Sequence, residues 1–502
     1  MRQASWVLLA TILASGIVFI DGTVVNVILP ILQKKLGAPV SQLQWLLEAY
    51  ELFLSALLLL GGAMGDYYGR KKIFIWGLVV FGLASCWCSL APDIEQLILA
   101  RSLQCIGGAM LVPGSLAIIT AFFDESERGR AIGTWSAFSA VTTAVGPLLG
   151  GYLAEEVSWR LVFFINIPII ITVIVIVIKK VPESQDRTTT QKLDWFGALT
   201  ITLSMGLLVY VFTEASSHSL AEPEMFTMLI AGTVLFFVFI YWETKTPHPM
   251  LPLGLFSNRT FLGANLLTLF LYAAFRVLLF FFPFHLQQLH GYTATEAAAT
   301  FFPFVVIMAV LSRKAGALVD RYGAKGPLVF GPALTAVGIA LFALPGLTGS
   351  FWVTFFVPMV VMALGMVLTV APLTTAVMNA HAERSGLSSG INNSVSRLAG
   401  LLGVALSGFI MIKLFSGPFL AGLNDIAIEP GIKQQLASQL EQLAGMKLPG
   451  ELGNPQLQEL QTLLKESFLW GFRNLSYVAA ALAMLASIVA LFIIPGKQTK
   501  SG

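Results

Sequence analysis

The sequence has few charged residues for its length. It holds 30 Lys and Arg and 27 Asp and Glu in 502 residues, so 11% of the chain is charged, whereas 56% is hydrophobic. A soluble globular domain carries roughly 25% charged residues. Too few charged side chains are present to coat a core in water, and the mean hydropathy of +0.80 indicates lipid as the solvent. This composition excludes a nucleic-acid-binding protein, a disordered protein and a secreted disulfide scaffold.

Cysteine and histidine are also scarce. Cys86, Cys88 and Cys105 lie in apolar runs at a spacing that fits neither a zinc site nor a disulfide framework, so we interpret them as packing residues. The five histidines fall in loops or near the ends of apolar runs, with no clustered His/Glu site and no nucleophile–base signature. No Gly-x-x-x-x-Gly-Lys-Ser/Thr loop for ATP is present. We therefore expect no metal, no cofactor and no enzymatic activity.

Long apolar runs fill most of the chain. The first, 6–30, is too long for a signal peptide and contains Asp21, so we interpret it as an uncleaved membrane span. At about 20 residues per crossing, the sequence predicts an all-α, multi-pass membrane protein with fourteen spans, near 6–30, 43–63, 73–92, 95–117, 129–153, 161–178, 195–213, 225–242, 260–286, 294–316, 326–346, 350–374, 386–412 and 467–494.

The basic residues predict the orientation of these spans. With the N-terminus inside, the cytoplasmic segments hold 19 Lys and Arg residues, whereas the short outer loops hold only Lys34, Lys35 and Arg160. Basic residues are retained on the cytoplasmic side of short loops. The sequence therefore predicts a cell (inner) membrane protein with both termini cytoplasmic.

One predicted outer segment, 413–466, is much longer than the others. It has leucines and isoleucines at helical spacing, which favours a pair of amphipathic helices that cap the outer face. A docking site for a periplasmic partner is the alternative, but no residue supports it specifically. We expect a monomer in the lipid bilayer with a small-molecule substrate as its binding partner.

A glycine–aspartate–glycine pattern occurs twice, each time after an apolar run. Its members are Gly62, Asp66 and Gly69 in the first copy and Gly316, Asp320 and Gly323 in the second, so each pair is 254 residues apart. Basic residues follow the aspartate in both copies, among them Arg70 and Arg321. Such self-similarity is typical of a transporter built from two related halves. The acids and bases could form a charge cluster at the inner membrane surface.

Several segments together resemble the major facilitator superfamily, and within it the fourteen-helix drug:proton antiporter branch. The loop 62–72 resembles the signature between helices 2 and 3, and 20–30, which includes Asn26, resembles the first-helix signature. Residues 101–109 are similar to the fourth-helix Arg-Gln-Gly signature, with Cys105 where Gly is usual. The cluster Gly146, Pro147, Gly150 and Gly151 matches the fifth-helix antiporter signature.

The resemblance implies a domain plan and an inner gate. It implies two pseudo-symmetric six-helix bundles, 1–180 and 246–502, and a linker, 181–245, with two inserted helices. The repeated loops would form the inner gate. Because proline removes a backbone hydrogen bond and glycine permits a bend, we expect the fifth-helix cluster to act as a hinge during alternating access.

Ionisable residues inside a bilayer are costly, so we treat them as functional candidates. Asp21, Glu48, Glu51 and Arg101 are predicted to occupy one layer, roughly 7–14 Å below the outer surface at 1.5 Å per helical residue. Glu48 and Glu51, three residues apart, would then share a proton that a mobile Arg101 could release. The alternative is that Arg101 is a structural ion-pair partner and that one of the glutamates reaches water.

The ninth span carries a second set of candidates. Arg276 is predicted deep in the membrane, with Asn265 and Tyr272 at helical spacing from it. Together with Asn26 they are candidates for lining a substrate cavity. Arg276 is either a latch across the cavity or an anion-binding group, and we favour the latch. Arg397, near Asn392 and Asn393, is a weaker candidate that could be structural.

We therefore expect a proton-coupled secondary transporter that exports amphipathic organic compounds. A proton-linked transporter of one metabolite, peptide or siderophore is the first alternative, and an intramembrane enzyme or assembly factor is the second. The proton is the only coupling species expected.

Overall fold

The computed structural model describes residues 3–184, 194–215, 222–247, 249–347, 351–381, 385–449 and 453–496. Within this part of the chain every regular element is a helix, as the sequence predicts. The helices of the first half are α1 (Gln3–Leu36), α2 (Val40–Tyr68), α3 (Arg70–Leu90), α4 (Ile94–Phe122), α5 (Glu125–Leu153), α6 (Leu161–Phe164) and α7 (Asn166–Lys180).

The inserted pair and the second half follow. The inserted pair is α8 (Trp195–Glu214) and α9 (Pro223–Lys245). The second half contains α10 (Arg259–Phe284), α11 (Ala294–Ala299), α12 (Phe302–Tyr322), α13 (Lys325–Leu341), α14 (Val357–Ala380), α15 (Ser385–Asp425), α16 (Pro430–Ala437) and α17 (Asn454–Ile493). Short π-helical turns cover Ala154–Ser158, His285–Leu289 and Trp352–Phe356, and 3₁₀ turns cover Leu253–Ser257 and Leu440–Gly445.

Polar side chains start several of these helices by accepting hydrogen bonds from otherwise free N–H groups. Asp93 accepts from the Gln96 amide at the start of α4 (2.8 Å), and Asn258 accepts from the Thr260 amide at the start of α10 (2.9 Å). Asp194 caps α8 and also accepts from the Trp242 indole of α9 (2.8 Å), which holds the inserted pair together.

Eleven helical stretches of the described residues are long and apolar enough to cross a membrane. They include α1, α3, α4, the inserted helices α8 and α9, and most of the second half. A shorter apolar helix, α13, adds 17 residues. The chain is therefore a multi-pass helical membrane protein, and the count of fourteen spans stays a prediction.

The helices pack into two groups that meet along a limited set of contacts. In the first half α4 packs against α2 and α3, and α1 packs against α4 and α5. In the second half α10 packs against α15 and α17, and α14 packs against α12 and α13. The halves meet where α2 contacts α15, α1 contacts α10, and α5 contacts α11. The predicted bundle boundaries themselves remain predictions.

The predicted outer face is closed by contacts between the halves. The Gln287 amide donates to the Val27 carbonyl (2.8 Å), and Gln288 donates to the Gln33 side chain (2.7 Å). Gln33 donates in turn to the carbonyl of Gln442 in the long outer segment (3.1 Å). The polar ends of α1 and α10 are therefore tied together at this face.

The outer segment 413–466 is only partly the separate pair of helices that the sequence predicts. The helix α15 continues to Asp425. The helix α17 already begins at Asn454, and its residues Leu460 and Leu464 are buried in the helix packing. Between them lie α16 and the 3₁₀ turn Leu440–Gly445. Leu443 of that turn is fully buried although its φ is +50°, a region that side chains other than glycine rarely adopt.

Candidate functional site: two charge clusters

Asp21 of α1 and Arg101 of α4 form a sealed ion pair. The Nη1 of Arg101 donates to Oδ2 of Asp21, and each residue is 1% exposed. Two charges removed from water remain stable only when their mutual attraction and further hydrogen bonds offset the lost hydration. The contact itself provides the attraction, and neighbouring side chains provide the hydrogen bonds.

Side chains from α4 itself and from two more helices, α7 and α2, complete this sealed cluster. Gln104, one turn after Arg101, accepts from Arg101 Nη1 (2.9 Å) and donates to Asp21 Oδ1 (3.1 Å). Asn166, at the start of α7, also donates to Asp21 Oδ1 (3.3 Å). The Tyr50 ring of α2 lies 4.0 Å from the Arg101 guanidinium carbon, a favourable cation–π distance. The cluster ties α1, α2, α4 and α7 into one unit.

Glu51 of α2 forms the second cluster, which bridges the two halves. Its Oε2 accepts from Arg397 Nη1 of α15 (2.8 Å), and its Oε1 lies 3.4 Å from Arg276 Nη2 of α10. The side chains of Arg276 and Arg397 are 33% and 30% exposed and that of Glu51 is 18% exposed, in contrast to the sealed pair. Glu51 therefore contacts one arginine of α10 and one of α15. The latch role of Arg276 stays a prediction.

Glu48 lies one turn before Glu51 but has different partners. It is 2% exposed, and its Oε2 accepts from the Thr213 hydroxyl of the inserted helix α8 (3.0 Å). Its other oxygen, Oε1, has no hydrogen-bond partner among the described residues. The carboxyl group is therefore held on one side only.

A cleft separates α2 from α10 and α15 at this level. It is lined by Asn26, Leu47, Glu48, Glu51, Arg276, Arg397, Gly400, Leu401 and Val404. Five of these nine residues are polar or charged and the space between them is small, so the converging polar groups rather than the volume mark the cleft as a candidate site. The cleft is thus the candidate binding site, and its charges come from both halves.

The four charged groups that are predicted to share one layer have separate sets of contacts, and the layer itself stays a prediction. Arg101 contacts Asp21 and is buried, so the structure does not bring it to Glu48 or Glu51. Glu51 pairs with two arginines rather than with Glu48. The reason is that the faces of α2 meet different helices, and a spacing of three residues gives no information on those neighbours.

Two of the four predicted cavity residues line the cleft and two do not. Asn26 and Arg276 line the cleft. Asn265 is 3% exposed and accepts from Asn392 of α15 (3.1 Å), so it joins α10 to α15 rather than facing the cleft. Tyr272 is half-buried and packs against the largest apolar cluster. Neither of these two residues belongs to the cleft lining.

Glu183 organises the predicted inner loop. The carboxylate of Glu183 accepts from the backbone amides of Lys71 (2.9 Å) and Lys72 (3.2 Å) at the start of α3, where the helix dipole favours negative charge. The Arg70 amide donates to the Ser184 carbonyl (2.9 Å), and Gly69 has a φ of +107°, which requires glycine. The side chains of Gly62, Asp66, Asp320 and Arg321 lie outside the described residues, so the inner gate remains a prediction.

The Gly-Pro cluster of α5 brings helices close together. A Cβ atom at Gly150 would overlap Val24 Cγ2, and one at Gly146 would lie 2.7 Å from Thr23 Oγ1. A Cβ at Gly151 would lie 2.9 Å from the Ala294 carbonyl of the second half. Pro147 lies inside the continuous helix α5. The structure thus explains the glycines by close packing of α1 and α11 on α5, and the hinge role stays a prediction.

Several polar residues of these sites escaped the sequence analysis. Thr213, Asn166 and Glu183 carry no motif, and only the fold places them beside charged groups. His285, expected at a span end, is fully buried, and its Nε2 lies 3.3 Å from His290 Nε2. The pKa of His290 lies below its ordinary value, chiefly because the ring is partly buried and to a smaller extent because the positive charge of Lys465 disfavours a second cation. Among the described residues no group of three or more His, Cys, Asp or Glu could hold a metal.

Comparison with known proteins identifies the family. The sequence pattern of the Major Facilitator Superfamily matches residues 11–404. The chain belongs to the major facilitator superfamily. This membership makes it a transporter rather than an enzyme, and a small molecule bound within the membrane is the substrate class of the superfamily.

Two relatives have names that refer to drug resistance. The chain is 30% identical over 437 residues to the multidrug resistance protein Stp of Mycobacterium tuberculosis, covering 86% of this chain and 80% of the relative. It is 28% identical over 502 residues to the tetracenomycin C resistance and export protein of Streptomyces glaucescens, covering 98% and 92%.

A solved structure shares the fold. The bacterial homologue of the human lysosomal transporter Spinster, in an inward-facing and unoccupied conformation, matches with a TM-score of 0.64 and 18% identity, covering 98% of both chains. At this identity the match shows the fold alone. It agrees with the helical architecture described above.

Proposed function

We propose that this transporter exports amphipathic organic compounds in exchange for protons, by alternating access, with fourteen spans and both termini cytoplasmic. The observation that carries the proposal is the Glu51–Arg276–Arg397 cluster. It joins the two halves across the cleft while the predicted outer face is closed. Such an ion pair can form in one state and break in the other as the halves rock.

The proposal also requires a proton site, and we assign it to Asp21 of the sealed pair. Asp21 can separate from Arg101 only when it takes up a proton, because a buried carboxylate without its guanidinium partner is strongly unfavourable. Proton uptake by Asp21 would therefore loosen the contact between α1 and α4. The drug-resistance names of the relatives support export as the direction and amphipathic compounds as the substrates.

The test is flux in proteoliposomes under an imposed pH gradient. Molecules with their cytoplasmic face outward should accumulate substrate when the lumen is more acidic than the bath. A panel of cationic, neutral and anionic amphipathic compounds identifies the substrate charge. Flux that ignores the gradient for every transported compound would overturn proton exchange. Transport of a single metabolite, peptide or siderophore would favour the narrower alternative.

A further inference from the structure

The inserted helix α8 contacts both halves beside the cleft. Leu52 of α2, Met205 and Val209 of α8, and Leu401 and Ala405 of α15 form one buried apolar cluster. This contact is unexpected for a pair of helices that merely links two bundles. It places α8 at the seam between α2 and α15, where the halves must move if the transporter alternates.

Side chains near the C-terminal end of α8 contact α2 directly. The Trp45 indole donates to the Glu214 carboxylate (3.3 Å), and the Trp45 and Tyr210 rings are 6.0 Å apart. One residue before Glu214, the fully buried Thr213 hydroxyl contacts Glu48 Oε2 at 3.0 Å. Glu48 thus receives its hydrogen bond from outside the two bundles.

The two glutamates of α2 differ in how their charge is balanced. Glu51 lies beside two guanidinium groups. Among the described residues Glu48 forms no ion pair, and the hydroxyl of Thr213 holds one of its oxygens while the other is unpartnered at the cleft. A buried carboxylate with a single neutral donor is costly, so its charge state depends strongly on that donor.

We propose that Thr213 of the inserted helix is a positioning residue for Glu48. Its hydroxyl fixes one carboxyl oxygen and stabilises the carboxylate, so that the other oxygen takes up and releases a proton at the cleft. The inserted pair thereby sets the pH range over which Glu48 is negatively charged. This inference rests on the proposed proton exchange.

The decisive variant is Thr213→Val, which keeps the shape and removes the donor. Because the carboxylate of Glu48 would lose its hydrogen-bond donor, we expect the midpoint of the pH–flux profile to rise by on the order of one pH unit. Thr213→Ser keeps a hydroxyl and should restore the wild-type midpoint. In a Glu48→Gln background, Thr213→Val should shift nothing further, because the group it acts on is gone.

Ser204 offers a matched control on the same helix. Its buried hydroxyl donates to the Gly232 carbonyl of α9 (2.8 Å), so Ser204→Ala removes one buried hydrogen bond without touching Glu48. We expect it to lower thermal stability and to leave the midpoint unchanged. A Thr213→Val midpoint equal to wild type, or a shift that persists in the Glu48→Gln background, would overturn the positioning role.

The failure of this inference can be distinguished from failure of the proposed function. If wild-type flux ignores the pH gradient, the proton exchange itself is wrong. If wild-type flux follows the gradient and Thr213→Val keeps the wild-type midpoint, only the role of Thr213 is wrong. If Thr213→Val does not reach the membrane, Thr213→Ser and Thr213→Ala, compared in the same profile, decide the question.

Discussion

The two charge clusters differ in enclosure and in what they connect. Asp21 and Arg101 lie within the first half and are almost completely buried. Glu51, Arg276 and Arg397 join the first half to the second and remain in part accessible from the cleft. A buried pair that loses one partner is strongly destabilised, whereas partly exposed pairs contribute little to stability. The first cluster is therefore expected to couple a proton to the packing, and the second to bias the conformation.

The largest effect is expected for Asp21→Asn. The change leaves Arg101 buried without a counter-charge, which costs about 3–5 kcal/mol when one partner of a buried pair is removed. We expect a marked loss of thermal stability of the purified protein and loss of flux driven by the pH gradient. Melting temperature and proteoliposome flux measure the two effects.

The matched control for this change is Glu51→Gln, which also neutralises one acid that pairs with arginine, but in the partly exposed cluster. Because Arg276 and Arg397 reach the cleft, Glu51→Gln should lower the melting temperature much less. Equal losses of stability in the two variants would show that the clusters do not differ in enclosure. Wild-type flux in Asp21→Asn would exclude Asp21 as the proton site.

The first cluster was partly predictable from sequence, and the second was much less so. Asp21 and Arg101 are the charged groups of long apolar runs, so their depth follows from helical rise alone. The partners of Glu51 and Glu48 depend on which helices surround α2, and these come from distant parts of the chain. The pairing of Arg397 with Glu51 and the contact of Thr213 with Glu48 are therefore visible only in the fold.

The helical runs themselves were predictable because apolar length is a strong signal. The break at Ile165 between α6 and α7 and the extension of α15 to Asp425 were not predicted. The break precedes Pro168, which has no N–H to donate to the Phe164 carbonyl. The extension of α15 carries the buried side chains of Phe415, Phe419 and Leu423. The glycines of α5 carried a clear sequence signal, but their use for close approach required the position of Val24.

A smaller effect is expected for Gly150→Ala, which tests how the first cluster stays sealed. The new methyl group would overlap Val24, on the same helix as Asp21, so α5 or α1 must shift. Overpacking of this kind costs about 1–3 kcal/mol. We expect a lower melting temperature and slower turnover, measured on the same preparations.

Two further variants test whether the overlap with Val24 causes the effect of Gly150→Ala. Gly390→Ala, on α15, adds a methyl group with nothing within 4 Å and should not destabilise the protein. The double variant Gly150→Ala with Val24→Ala should be more stable than the sum of the single changes predicts, because each relieves the other. Strict additivity would contradict the close approach as the cause.

The smallest effect on stability is expected for Arg397→Gln and Arg276→Gln, each about 1 kcal/mol or less because these groups are partly exposed. These changes should instead alter the relative populations of the two conformations. The cluster favours the state in which the predicted outer face is closed, so its loss should increase the outward-open population by up to about five-fold. Arg397→Gln should act more strongly, since its contact with Glu51 is 2.8 Å rather than 3.4 Å.

Spin labels at Lys34→Cys on α1 and Glu459→Cys on α17 report this opening as a longer distance across the outer face, since both positions are exposed. Arg160→Gln is the control, because Arg160 donates to the Ala91 carbonyl (2.7 Å) within the first half and should leave the distance distribution unchanged. An Arg397→Gln distribution equal to that of Arg160→Gln would show that the cluster does not bias the conformation. A melting temperature as low as that of Asp21→Asn would show instead that the bridge is structural, and the contrast between the two clusters would then be lost.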